Sequence, residues 1–115
     1  NTLLDYVPAG LNLSVTTAII QATGVIVVQV NTRCTSTGKT GLAAADFEIV
    51  ASNAEGVVAP TAAVDNGGGQ YTVTIKEDGG ATFIPVGEWF ELMVGDDDGT
   101  YQTFQSNSVK QYVLA

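Results

Sequence analysis

The side chains that could do chemistry in this 115-residue chain are few, and their types restrict what that chemistry could be. There is no histidine. Ser-His-Asp and Cys-His catalysis and the usual histidine-ligated zinc sites are therefore excluded. The single cysteine, Cys34, has no partner for a disulfide or a redox pair and reads as a small buried apolar residue. Asp96, Asp97 and Asp98, followed by Gly99, place carboxylates in succession, and their mutual repulsion is what a calcium ion would relieve. Calcium takes about six to eight oxygens, so Asp65, Glu77 or Asp78 would have to converge on the same loop. The downstream Glu of an EF-hand loop is missing, and a solvated hairpin turn is the simpler reading.

Three other patterns invite a functional reading. Glu88 and Glu91 could serve as a glycosidase pair only if they faced one bond, and residues three apart on a strand point to opposite faces. Gly38-Lys39-Thr40 matches the end of a phosphate-binding loop, but Arg33 stands where that loop needs its first glycine, and no helix follows to receive a phosphate. Trp89 offers a flat face on which a sugar ring could stack, provided that it lies on the outside of its strand, and a core or rim residue is the simpler reading. Its neighbours Phe90, Leu92 and Val94 share the opposite face, and a register error of one residue would exchange the two.

The elements that must position these residues are strands. Alternation is clearest in Gln70–Ile75, where Tyr71, Val73 and Ile75 oppose Thr72 and Thr74. Ile26, Val28, Val30 and Cys34 form one face of a central strand. Leu11, Leu13, Val15 and Ile19 line one side of an earlier strand, or of a broken pair. Phe47, Ile49 and Ala51 line a third. Pro60 places its segment at a sheet edge, because proline cannot donate to a ladder. Leu42–Phe47 can form a single helical turn closed by Asp46. Asp65-Asn66-Gly67-Gly68-Gly69 and Gly95–Gly99 are turn signals. The pattern predicts an all-β, immunoglobulin-like antiparallel sandwich of about seven to eight strands. Its expected core comprises Ile26, Val28, Val30, Phe47, Ile49, Tyr71, Val73, Phe90, Leu92 and Val94.

Residues 24–50, GVIVVQVNTRCTSTGKTGLAAADFEIV, resemble the second and third strands of bacterial and phage immunoglobulin-like (Big-type) domains. DNGGGQYTVTI and VGEWFELMVGDDDGTYQ are similar to later strands of those modules. The resemblance spans residues 11–115. It implies a non-enzymatic structural module, of the kind that decorates phage particles or builds appendages and cell-surface fibres. A carbohydrate- or protein-binding adhesion module, using loops or an outer sheet face, is the alternative it leaves open. The Cys…Trp…Cys arrangement of antibody domains is absent.

Twelve acidic residues against four basic ones give a net charge of −8. With no basic stripe to displace counterions, neither nucleic acid nor an anionic membrane surface is an expected partner. No apolar run is long enough for membrane insertion. The expected partners are other protein subunits of an assembly, with a glycan as the second possibility, in an extracellular or virion-surface setting. Asn12-Leu13-Ser14 fits a glycosylation acceptor. Residues 1–10 read as an N-terminal arm ahead of the domain at 11–115. Its apolar side chains, Leu3, Leu4, Tyr6 and Val7, need a surface to cover, either on the same chain or on a neighbouring subunit. No cofactor is expected, and calcium is not favoured: adding millimolar calcium should leave the melting temperature unchanged, whereas a rise would establish a site by mass action.

Overall fold

Alternating apolar residues fold here into strands that bury one face each. The computed structural model describes residues 10–32, 37–78, 80–97 and 103–115. Eight strands are present: β1 (Gly10–Ile20), β2 (Val25–Thr32), β3 (Phe47–Ser52), β4 (Val58–Gly67), β5 (Gln70–Glu77), β6 (Trp89–Asp97), β7 (Thr103–Ser106) and β8 (Val109–Tyr112). One antiparallel sheet runs β4-β5-β2-β1, and the other β3-β6-β8. Short β7 pairs with β6 antiparallel and with the start of β1 in parallel, and so joins the two sheets along one side. This strand order is that of a constant-type immunoglobulin domain. The chain is an immunoglobulin-like antiparallel β-sandwich.

Between the sheets lies the core. Ile26, Val28 and Val30 of β2, Tyr71, Val73 and Ile75 of β5, and Phe90, Leu92 and Val94 of β6 are fully buried. Leu11, Leu13 and Ile19 of β1 and Phe47 of β3 join them, and Ile49 packs against the cluster. All ten expected core residues are therefore in or against the core. Leu42, Ile84 and Val113 complete it from outside the named strands. Residues 11–20 form one strand instead of a broken pair. Register shifts between Val15 and Thr17 and between Thr17 and Ile20 absorb the irregularity. β4 is an edge strand, as Pro60 requires. The helical turn is a short 3-10 segment, Ala44–Asp46, whose Asp46 carboxylate accepts the Ala43 N–H at 2.8 Å.

Two poles follow from this topology. Gly10 enters beside Gln105, near the Gly68-Gly69 turn and the segment at 37–43. Val113–Ala115 leave beside the other end of β1, where Leu114 bridges Ile20. Ten strand steps of roughly 3.3 Å separate Gly10 from Ile20, about 33 Å before the bulges shorten it.

Tyr71 secures the entry pole. Its hydroxyl donates to the Lys39 carbonyl at 2.6 Å and accepts the Leu42 N–H at 3.2 Å. Its ring meets Phe47 edge-on, with centroids 5.7 Å apart. Asp65 supports the same segment by accepting the Gly67 and Gly41 N–H groups at 2.8 and 3.2 Å, which hold its carboxyl below the usual range. Gly69, at φ 88°, lies so close to the Val30 carbonyl and Gly38 that a Cβ would collide with both.

Burial, together with the Asp65 charge, raises the Tyr71 hydroxyl above its ordinary 10.0. A group whose folded pKa is raised contributes stability below its unfolded pKa and loses it as pH climbs through the folded value. Stability should accordingly fall above about pH 10. Tyr71→Phe should cost about 1–3 kcal/mol at neutral pH and flatten that alkaline limb. Denaturant melts of both proteins from pH 8 to 11 check this, and identical limbs would exclude Tyr71 as the source.

Candidate functional site

With Phe90, Leu92 and Val94 buried, the alternation of β6 sends Trp89, Glu91 and Met93 to the outer face, where each is half-buried. Register then selects their neighbours. Trp89 stands opposite Tyr112 of β8, Glu91 opposite Lys110, and Met93 opposite Glu48 of β3. The Lys110 ammonium lies 4.2 Å from the centroid of the Trp89 ring and 5.6 Å from that of Tyr112. Trp89 is anchored through its backbone: its N–H donates to Asn53 Oδ1 at 2.8 Å, and its carbonyl accepts the Asn53 N–H at 3.2 Å.

Beyond Tyr112 the alternation continues past the end of β8. Tyr112 is 52% exposed, Val113 is buried and Leu114 is 49% exposed. Leu114 bridges Ile20 in parallel, donating to the Ile19 carbonyl at 3.1 Å and accepting the Gln21 N–H at 2.8 Å. Val86 flanks this end, because Gly87 donates to the Val113 carbonyl at 2.9 Å. The result is an exposed apolar strip running from Trp89 through Tyr112 and Leu114 to Ile20, ending at the exit pole.

Comparison with protein-family models, with curated proteins and with solved structures finds no match to this chain. The site must be judged by its own geometry. Exposed contiguous apolar surface is characteristic of contact sites, and Trp and Tyr are the residues that most often dominate them. The strip holds no nucleophile paired with a base. Its one cation covers a face of the indole that a sugar would otherwise stack on, in an interaction worth about 0.5–1 kcal/mol at an exposed site. A sugar would have to displace Lys110.

The other sequence candidates do not assemble into a second site. Asp96 and Asp97 are ladder positions of β6 opposite Phe104 and Thr103, so they belong to the strand and not to the turn. Asp98 lies outside the described residues, as do the arm residues Leu3, Leu4, Tyr6 and Val7 and the lone Cys34. Among the described residues no group of three or more His, Cys, Asp or Glu could hold a metal. Glu88 precedes β6 with Oε1 buried and without a hydrogen-bond partner among the described residues, whereas Glu91 is on the outer face, so the two do not flank one bond. Gly38-Lys39-Thr40 folds along the end of β2, where the Lys39 N–H is taken by the Val30 carbonyl at 2.8 Å. It makes no phosphate cradle.

Alternation leaves Trp89 on the outer face only if Phe90 is core, and the structure, with Phe90 buried, puts it there half-buried instead of in the core. Lys110, Tyr112, Leu114 and Ile20 carry no such signal of their own. The first three alternate with Gln111 and Val113, which would have placed them on one face, but pairing with Trp89 depends on long-range register. Lys110→Met should keep the packing of the stem while removing the charge. It should cost at most about 1 kcal/mol and shift the emission of the chain's only tryptophan. An unchanged emission spectrum would mean that the ammonium does not sit over the ring.

Proposed function

We propose that this chain is a non-enzymatic structural module of a larger extracellular or virion-surface assembly, of the phage decoration, appendage or cell-surface fibre type, and that it contacts neighbouring protein subunits through the Trp89–Tyr112–Leu114–Ile20 strip. The observation that carries this reading is an apolar, aromatic-led strip that runs to the pole opposite Gly10. Chain entry and exit at opposite poles suit a module set in series, and an apolar contact surface at one pole suits a neighbour there. The resemblance of residues 11–115 to bacterial and phage immunoglobulin-like modules supports the setting.

A carbohydrate-binding adhesion module is the second reading. It is favoured by one observation, the outward Trp89 beside Tyr112, and opposed by another, the Lys110 ammonium over the indole. One pair of measurements separates the two. In native material the strip should be covered by protein, so Lys110 should be acetylated more slowly relative to Lys76 than in the isolated chain. Oligosaccharide titrations of the isolated chain should leave Trp89 emission unchanged. Equal Lys110 reactivity in both settings would refute the contact reading, and saturable quenching by a sugar would favour adhesion.

A further inference from the structure

We propose that the occupant of the strip is the N-terminal arm of a second copy of this chain, residues 3–7, so that copies join head to tail. This rests on the reading of the strip as a protein-contact surface and adds the identity of the contact.

Complementarity is the first argument. The arm presents Leu3, Leu4, Tyr6 and Val7 around a single charge, Asp5. The strip presents Tyr112, Leu114, Ile20 and Val86, with Lys110 over its rings and Glu91 opposite Lys110 on the neighbouring strand. Among the described residues the Lys110 ammonium meets the two aromatic rings and no carboxylate. An apolar segment with one acid therefore meets an apolar strip whose ammonium rests on aromatic rings.

Reach is the second argument, and it separates copies from a single chain. A fully extended segment spans at most about 3.6 Å per residue. Val7 is three residues from Gly10 and so can travel about 11 Å from it, and Tyr6 about 14 Å. Measured along β6, Tyr112, opposite Trp89, lies six positions from Gly95, which pairs with Gln105, the partner of Gly10, or about 20 Å. Leu114 and Ile20 lie about 30 Å away. On its own body the arm could bring Leu3 and Leu4 to Tyr112 and Asp5 to Lys110, but neither Tyr6 nor Val7 to Tyr112, and none of its side chains to the far end at Leu114 and Ile20. The arm of another copy has no such limit.

The third argument is polarity. Gly10, from which the arm leaves, and the far end of the strip are at opposite poles, so copies set head to tail make a heterologous contact that leaves an arm and a strip free at the two ends of the series. An arm contact also avoids laying two bodies of net charge −8 face to face.

Sedimentation velocity on full-length chains tests this with two variants. Leu4→Asp with Tyr6→Asp spoils the arm, and Ile20→Asp with Leu114→Asp spoils exposed positions of the strip. The parent chain should form a concentration-dependent series extending past the dimer. Each variant alone should associate at least about tenfold more weakly, with a melting temperature like the parent's. An equimolar mixture should form a heterodimer and stop there, because it holds one intact arm and one intact strip. A mixture that stays monomeric, an arm variant that associates like the parent, or an arm variant whose monomer melts lower through lost packing on its own body would each overturn the proposal. So would a parent that stays monomeric up to about 1 mM. If Lys110 is nonetheless protected in native material, the strip reading survives with a different occupant. If the strip variant associates like the parent, the strip itself is at fault.

Discussion

β1 is held on both sides along its length, and the polarity of the molecule depends on that. On one side it pairs with β2 from Leu11–Thr32 to Ile20–Val25. On the other it meets β7 in parallel at Gly10 and Leu11, and Leu114 at its far end. Between these points the backbone of Leu13 has no strand to pair with, since β7 has ended. Asn107 fills the gap with its side-chain amide, accepting the Leu13 N–H at 2.9 Å and donating to the Leu13 carbonyl at 3.0 Å. One primary amide can satisfy both a donor and an acceptor in this way, and a buried backbone group left without a partner would be costly. With β1 tied down at both ends, chain entry and chain exit are fixed at opposite poles.

The strip is a by-product of core packing. Phe90, Leu92 and Val94 must point inward, so Trp89 must point outward, and pairing with β8 then puts Tyr112 beside it. Nothing in the core requires an indole or a phenol at those outer positions. Lys110 mitigates the exposure by laying its stem and charge over the rings, which shelters apolar area while keeping the ammonium in water. Lys76 does the same over Phe83, 4.4 Å from its centroid, near the exit pole. Two of the four basic residues are thus spent on covering exposed aromatic rings.

Local alternation was enough to read the strands, the central position of β2 and the edge position of Pro60. Turn chemistry was enough for Gly67-Gly68-Gly69, all three at positive φ. What could not be read was whatever depends on pairing between distant segments. Ile84 is buried because the connection before β6 folds over the exit end without a period of its own, and Val113 because long-range pairing carries the alternation of β8 one step beyond the strand. Leu42 is buried because Tyr71, on a strand far away in sequence, holds its N–H. The strip lies across three segments, β6, β8 with the residues after it, and the end of β1. No window of sequence contains it.

The edges of the sandwich explain why poles and not sides are suited to contact. Among the described residues, β3 and β4 each pair with one strand only. A free edge invites uncontrolled pairing with another chain unless something blunts it. On β4 the register breaks between Pro60 and Ala62 and again between Asp65 and Gly67, and Pro60 has no N–H to offer. On β3 it breaks between Ile49 and Ala51, with Glu48 exposed beside the break. Both edges are therefore poor templates for a further strand. On the opposite side β7, Asn107 and Leu114 occupy parts of the β1 edge, and among the described residues β8 pairs with β6 alone. Strand addition is therefore discouraged at β3 and β4, and a contact made through side chains of an outer face would leave these ladders undisturbed. Among the described residues the outward aromatic-led strip at the exit pole is such a face.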